Sequence, residues 1–316
     1  MPTQPRLFAS EDPLAARHAR QRRLAAQLDP LLHFGTSSWS FPGWAGIVYR
    51  GAPSESVLAR TGLSEYAESP LFRTVGIDRG YYAPIPARDL QRYDAQLPPG
   101  FRACIKAPAT VTSAVLPGDP RATPQANPDY LSATRYLRDM GDALAAHFAH
   151  RTAMVIFEFP PMVPSFRLSV EDFAARLDDF LGALPRSLGY AVELRESAHF
   201  RRVYADVLAK HGVSHVYNYW SAMPSPGRQA RHLPVASQPR AVLRLLLAPG
   251  TKYAERKAAF APFSALKAVD PSMRGEVVAM VREALAARRE TFVLVNNKAE
   301  GSSPLTIEAL AEALSG

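Results

Sequence analysis

The chain has 316 residues, 47% hydrophobic and 21% charged, which gives ample material for a core and excludes disorder as its main state. No run approaches the roughly 18 uninterrupted apolar residues of a membrane span, and the first thirty lack the apolar centre of a secretory leader. Lys and Arg number 37 against 29 Asp and Glu, a formal charge of +8 that admits nucleic acid, phosphorylated metabolites or an acidic surface as partners without requiring any of them.

In chain order, residues 1–30 read as an Arg-rich N-terminal extension and residues 31–316 as one domain. Eight short runs rich in β-branched and aromatic residues are predicted strands: HFGTSS (33–38), TVGIDR (74–79), FRACIK (101–106), AMVIFEF (153–159), YAVELR (190–195), SHVYNY (214–219), AVLRLLL (241–247) and TFVLVN (291–296). Their starts recur about every 37 residues, room for a strand, a helix and two loops. Phe173, Leu177, Phe180, Leu181 and Leu184 fall on one helical face, with Ser169 and Asp172 as its capped start. Residues 205–210 are helical, stopped by Gly212. Residues 113–128 are Pro-punctuated and predict a long surface loop, and residues 220–240 show no helix pattern where a sixth helix belongs. Eight strands alternating with helices, without G-x-G-x-x-G or a phosphate loop, predict an α/β fold: a single (β/α)8 TIM-type barrel with an N-terminal extension.

In such barrels the working face lies at the carboxyl ends of the strands. Those ends carry Ser38 and Trp39, then Asp78 and Tyr82, Lys106, Glu158, Glu193 and Arg195, Tyr217 and Asn218, Arg244, and finally Asn296, Asn297 and Lys298. A charge buried without a partner costs several kcal/mol, so each of these needs a partner or a ligand. Glu193 and Arg195 stand two apart on one strand and share a face. The candidate catalytic groups are Glu193, Lys106 and Glu158; the remaining candidates, with Trp44, would bind substrate. The alternative is a structural ion network plugging the barrel. Two glutamates also admit a glycosidase, and Lys106 a Schiff base with a carbonyl substrate. Basic residues (Arg228, Arg231, His232, Arg240, Lys252, Arg256, Lys257) beside aromatic ones (Trp39, Trp44, Tyr81, Tyr82, Tyr219, Trp220, Tyr253) keep single-stranded nucleic acid, a nucleotide or a sugar phosphate open.

The eight histidines form no H-E-x-x-H, so neither a histidine-held metal nor a cofactor is expected, while a purely carboxylate Mg2+ site stays open. Cys104 sits mid-strand as a packing residue; as the sole cysteine it excludes an internal disulfide and fits a cytoplasmic protein.

Five segments, FGTSSWSFPGWAGIVY (34–49), FRACIKAP (101–108), FPP (159–161), AVELR (191–195) and VNNKAEGSSPLT (295–306), resemble the YecE-like proteins, domain-of-unknown-function family 72. The resemblance spans residues 31–314 and implies a TIM barrel with a pocket at Ser38, Trp39, Trp44, Tyr82, Lys106, Glu193, Arg195, Arg244, Asn296 and Asn297. The chain departs from the family pattern in having Gly76, Asp78 and Tyr81-Tyr82 at strand two, and Thr112-Ser113 after strand three. It departs again with Glu158, where relatives tend to carry glutamine, and with Arg244-Leu245-Leu246-Leu247 at strand seven.

The leading expectation is a metal-independent enzyme acting on a small anionic or sugar-like substrate in the barrel mouth. Arg195, Lys106 and Arg244 would hold negative charge, Glu193 would move the proton, and Asn296 and Asn297 would orient the ligand. The alternatives are a nucleic-acid-binding or nucleic-acid-processing barrel and a non-catalytic ligand-binding protein. No membrane partner is expected.

Overall fold

The structure is a computed structural model that describes residues 12–116 and 123–316. All eight expected strands form: β1 (Leu32–Thr36), β2 (Thr74–Ile77), β3 (Arg102–Lys106), β4 (Thr152–Phe159), β5 (Tyr190–Leu194), β6 (Ser214–Tyr219), β7 (Ala241–Leu245) and β8 (Thr291–Val295). They lie parallel in the order β1-β8-β7-β6-β5-β4-β3-β2, with helices in the crossovers, as in a (β/α)8 barrel.

The seam between β1 and β2 is closed differently from the rest. One bridge joins Phe34 to Phe72, and the Arg73 N–H donates to the Phe34 carbonyl. Beyond it the Tyr66 hydroxyl takes the Thr36 N–H at 2.9 Å and donates to the Thr74 carbonyl at 3.1 Å, standing in for a missing ladder bond. Each buried group so satisfied would otherwise cost about 1–3 kcal/mol. Gly35 lets the two strands approach here, since a Cβ would come within 2.1 Å of the Thr74 carbonyl oxygen.

Strand periodicity divides the core in two. One parity (Phe34, Val75, Ile105, Phe157, Leu194, Leu243, Val293) faces the helices. The other (Cys104, Met154, Ile156, Ala191, Val216, Val242, Phe292, Leu294) fills the lower lumen as a separate apolar plug. Two residues further along the same strands, that lumen parity reaches Lys106, Glu158, Glu193, Asn218, Arg244 and Asn296. An apolar plug capped by a polar layer at the carboxyl ends is the direct consequence.

The helix Val170–Gly182 starts where Ser169 Oγ accepts the Asp172 N–H at 3.0 Å, and the helix Arg202–His211 stops at Gly212. Residues 220–240 are not helix-free: a seven-residue helix, Pro226–His232, and a 3-10 turn, Val235–Ser237, stand there. The helix is too short to show an apolar period; it is held by Gln229, whose buried amide donates to the Asn218 and Pro224 carbonyls at 2.7 Å each. Of the 113–128 loop, residues 117–122 lie outside the described residues; Val115 and Ala126 form an antiparallel bridge beside them.

In the N-terminal extension, residues 1–11 lie outside the described residues. The helix Pro13–Ala25 docks on the last helix, Ser303–Ser315, where Arg17 and Arg20 both reach the buried Glu308. No helix among the described residues is long and apolar enough to cross a membrane.

Candidate functional site

At the carboxyl end of the barrel a cavity of about 190 Å3 is lined by Asp78, Tyr81, Tyr82, Lys106, Glu158, Arg195, Trp220, Leu246, Tyr253, Asn296 and Lys298. It shares Asp78, Tyr82, Tyr253, Asn296 and Lys298 with an outer cleft of about 590 Å3, which adds Ser38, Phe41, Lys257 and Phe263. A groove of about 610 Å3 also runs along the barrel wall by Phe200, Arg201, Arg202 and Pro224, but no strand residue lines it. The lumen charges belong to the mouth, which makes that the candidate site.

The charged layer is a chain of alternating sign. Lys106 Nζ lies 2.6 Å from Glu158 Oε2, and the Arg195 guanidinium donates to the same oxygen. Arg195 Nε sits 2.9 Å from Glu193 Oε1, close enough to attract though not aligned for a hydrogen bond. Arg244 then bridges Glu193 Oε2 and Asp78 Oδ2, each at 2.6 Å. Asn218 Nδ2 donates to Glu193 at 3.2 Å and to the Leu194 carbonyl at 2.7 Å. Two cations are also roofed by aromatic faces: Lys106 lies 3.7 Å from the centre of the Tyr81 ring, and Arg195 lies 4.2 Å from that of Trp220.

These surroundings fix the charge states. Burial alone would raise the Glu158 carboxyl, but Arg195, Lys106 and Arg244 hold it down at about 2, so it is ionised at neutral pH. Arg244, though buried, is kept firmly charged by Asp78, Glu193 and Glu158. Burial raises the phenols of Tyr81 and Tyr82, which stay neutral. Lys298 differs from the other three cations. Its ammonium meets no carboxylate among the described residues and rests 4.4 Å from the centre of the Tyr253 ring. Burial, with the charge of Lys257 and against that of Asp78, lowers it to about 8.

The segment after β8 shows how the sequence positions this lysine. The Asn296 N–H continues the ladder to the Leu245 carbonyl at 2.7 Å, and Asn296 Oδ1 takes the Lys298 N–H at 3.1 Å. Asn297 points the other way, accepting from Trp44 Nε1 at 3.2 Å and from the Ser303 N–H at 2.8 Å. Glu300, fully buried, clamps the Arg274 guanidinium and the Asp270 N–H. Gly301, at φ +121°, closes the turn where a Cβ would meet the Ala265 carbonyl at 2.5 Å. Lys298 therefore stands on a braced loop.

The expected site residues divide by geometry. Lys106, Glu158, Asp78, Tyr82, Arg195, Asn296 and Lys298 line the cavity, and Ser38 lines the outer cleft. Glu193, Arg244 and Asn218 form its sealed floor, each fully buried. Glu193 therefore has no open path to a substrate, contrary to its expected role in proton transfer. Tyr217, Trp39, Trp44 and Asn297 are away from the cavity. Tyr217 has the helix-facing parity and donates to the Leu233 carbonyl at 2.6 Å, and Trp39 Nε1 donates to the Leu58 carbonyl at 2.8 Å. Tyr81, Trp220 and Tyr253, not among the expected site residues, line the cavity together with Leu246 at the end of the seventh predicted strand. Cys104 is packing: burial pushes its thiol up to about 12. Among the described residues, no three His, Cys, Asp or Glu side chains are grouped to hold a metal ion.

Residues 33–316 match a family model described as "Protein of unknown function DUF72". Among solved structures the chain is similar to a DUF72 family protein from Thermotoga maritima, 20% identical, with 90% of this chain and 99% of that one covered and a TM-score of 0.64. It is also similar to a DUF72 family protein from Enterococcus faecalis, 13% identical, covering 90% and 95%, with a TM-score of 0.57. At these identities the likeness speaks for the fold. No curated protein matches the chain.

Proposed function

Because this chain belongs to the DUF72 family, whose description names no activity, we propose from its site that it is a metal-independent enzyme acting on a small substrate with one anionic group and sugar-like hydroxyls. One observation carries the reading. In the inner cavity and its floor, Lys106, Arg195 and Arg244 are matched by Glu158, Glu193 and Asp78, so the protonated Lys298 leaves that cavity with one uncompensated positive charge. A monoanion completes that balance. A divalent cation would instead meet three resident cations already paired to the carboxylates.

The rest of the lining suits a hydroxylated body. Tyr82 is 83% exposed and Tyr253 51%, so both present ring faces to a ligand, while Asn296 and neutral phenols offer hydrogen bonds. A lysine poised near 8 exchanges a proton readily at physiological pH. Glu193 is assigned to positioning, since it holds Arg195 and Arg244, and Glu158 to fixed negative charge. The paired-carboxylate glycosidase reading loses support, because such enzymes need one carboxyl raised to act as an acid whereas Glu158 is held low.

The test is calorimetric titration with gluconate, glucuronate and lactate beside neutral glucose, with turnover assayed on whichever binds. Anions are expected to bind and glucose not, and Lys298→Met should weaken the anion by about ten- to hundredfold, the loss of one charge-assisted contact. Equal affinity for glucose, or anion affinity untouched in Lys298→Met, would overturn the proposal. Salt-sensitive oligonucleotide binding indifferent to Lys298→Met would point to the nucleic-acid alternative instead.

A further inference from the structure

The chain has six lysines, and their surroundings sort them sharply. Lys210, Lys252, Lys257 and Lys267 are exposed. Lys106 is buried but tied to Glu158 at 2.6 Å, so its Nζ is already occupied by an ion pair. Lys298 alone is buried, opens on the cavity, and has its amine free of any hydrogen bond or ion pair among the described residues. A buried amine without a counter-ion is disfavoured as a cation, so part of its population carries a free lone pair at neutral pH.

We propose that Lys298 is a covalent nucleophile that forms an imine with the carbonyl carbon of an anionic oxo acid or aldose acid. The inference rests on the anionic-substrate reading above and narrows its substrate class. The neutral amine adds to the carbonyl carbon, forming the C–N bond while the carbonyl oxygen takes up a proton. The carbinolamine hydroxyl then leaves as water with a second proton as the nitrogen lone pair forms the C=N bond. From the ammonium form the net change is ammonium plus carbonyl to protonated imine plus water, with no oxidant or reductant needed. The protonated imine keeps the positive charge, so the substrate's anionic group stays matched. Asp78 is placed to shuttle the protons: Oδ2 is held by Arg244, while Oδ1 has no partner among the described residues and the side chain lines the same cavity.

The experiment incubates the full-length protein with glyoxylate, pyruvate, 2-oxobutyrate or glucuronate and sodium cyanoborohydride, which reduces an imine to a stable secondary amine. Intact mass and peptide mapping locate the adduct, and melting temperature without reductant reports binding. With at least one probe, wild-type Lys298 is expected to be modified about ten- to hundredfold faster than any exposed lysine at neutral pH. Modification should be half-maximal near pH 8 rather than the ordinary 10.5. The charges lining the cavity and cleft around the amine during that titration are Asp78, Glu158, Glu55, Lys106, Arg195, Arg79 and Lys257, with the phenols of Tyr81, Tyr82 and Tyr253. Lys298→Arg keeps the charge and should abolish the adduct at this site while retaining the melting shift. Adducts only on exposed lysines, with a melting shift still present, would overturn the imine and leave the anion site standing. No shift and no adduct would overturn both. Mapping of the wild type decides the point even if the variant folds poorly.

Discussion

Replacing Glu193 with glutamine is expected to lower the unfolding free energy by about 3–5 kcal/mol, the usual loss when one partner of a buried ion network is removed. Glu193 has no exposed atom, and two guanidinium groups converge on it with the Asn218 amide. Glutamine fills the same volume but leaves Arg195 and Arg244 sharing less negative charge in a space that water does not reach. Arg244 suffers most, since it is fully buried and Glu193 is one of its two hydrogen-bonded carboxylates, whereas Arg195 keeps its close pair with Glu158. The second half of the test is compensation. Adding Arg244→Met to Glu193→Gln removes the surplus charge and frees Asp78, which is partly exposed and can be hydrated. The double variant is therefore expected to recover more than half of the loss in urea unfolding at pH 7. Additive losses, or a single-variant loss below about 1 kcal/mol, would mean that Glu193 does not organise the layer.

Acid should undo the same layer in a defined window. Glu158 ordinarily titrates at 4.5 and is held at about 2 in the folded chain, which corresponds to roughly 3 kcal/mol. A carboxyl lowered by folding contributes fully above its unfolded value, and that contribution is lost as pH falls from about 4.5 toward 2. Glu290 acts in the same window at the opposite end of the barrel, lowered to about 2 by its hydrogen bond from His33 and by Arg240, although burial opposes this. Glu158→Gln removes only the first contribution. The stability gap between wild type and variant should thus be widest at neutral pH and close below about pH 2.5. A gap that does not change with pH would show that Glu158 acts through shape rather than charge.

Much of this architecture was legible in the sequence because it is written locally. β-branched runs between Gly and Pro clusters mark all eight strands, and alternation along them is enough to put Glu193, Asn218 and Arg244 in the lumen. The same alternation turns Tyr217 toward the helices when Asn218 faces the lumen, since neighbours on a strand face opposite ways. Asn296 and Asn297 separate in the same manner. What could not be read depends on distant chain. Trp44 is buried because Asn297, 253 positions away, accepts its indole N–H, and the seven-residue helix Pro226–His232 is secured by Gln229 rather than by an apolar stripe. Nor does order along a strand say which charges are open. Glu158 and Glu193 are register partners on β4 and β5, yet one lines a cavity and the other lies sealed beneath it.

The most direct measurement is anomalous diffraction from crystals of the protein soaked in sodium bromide. The account predicts a bromide ion inside the mouth, in contact with Lys298 and beside Arg195, and its disappearance in Lys298→Met. Bromide confined to exposed arginines, with the cavity empty of it in the wild type, would contradict the claim that this cavity carries one unmatched positive charge.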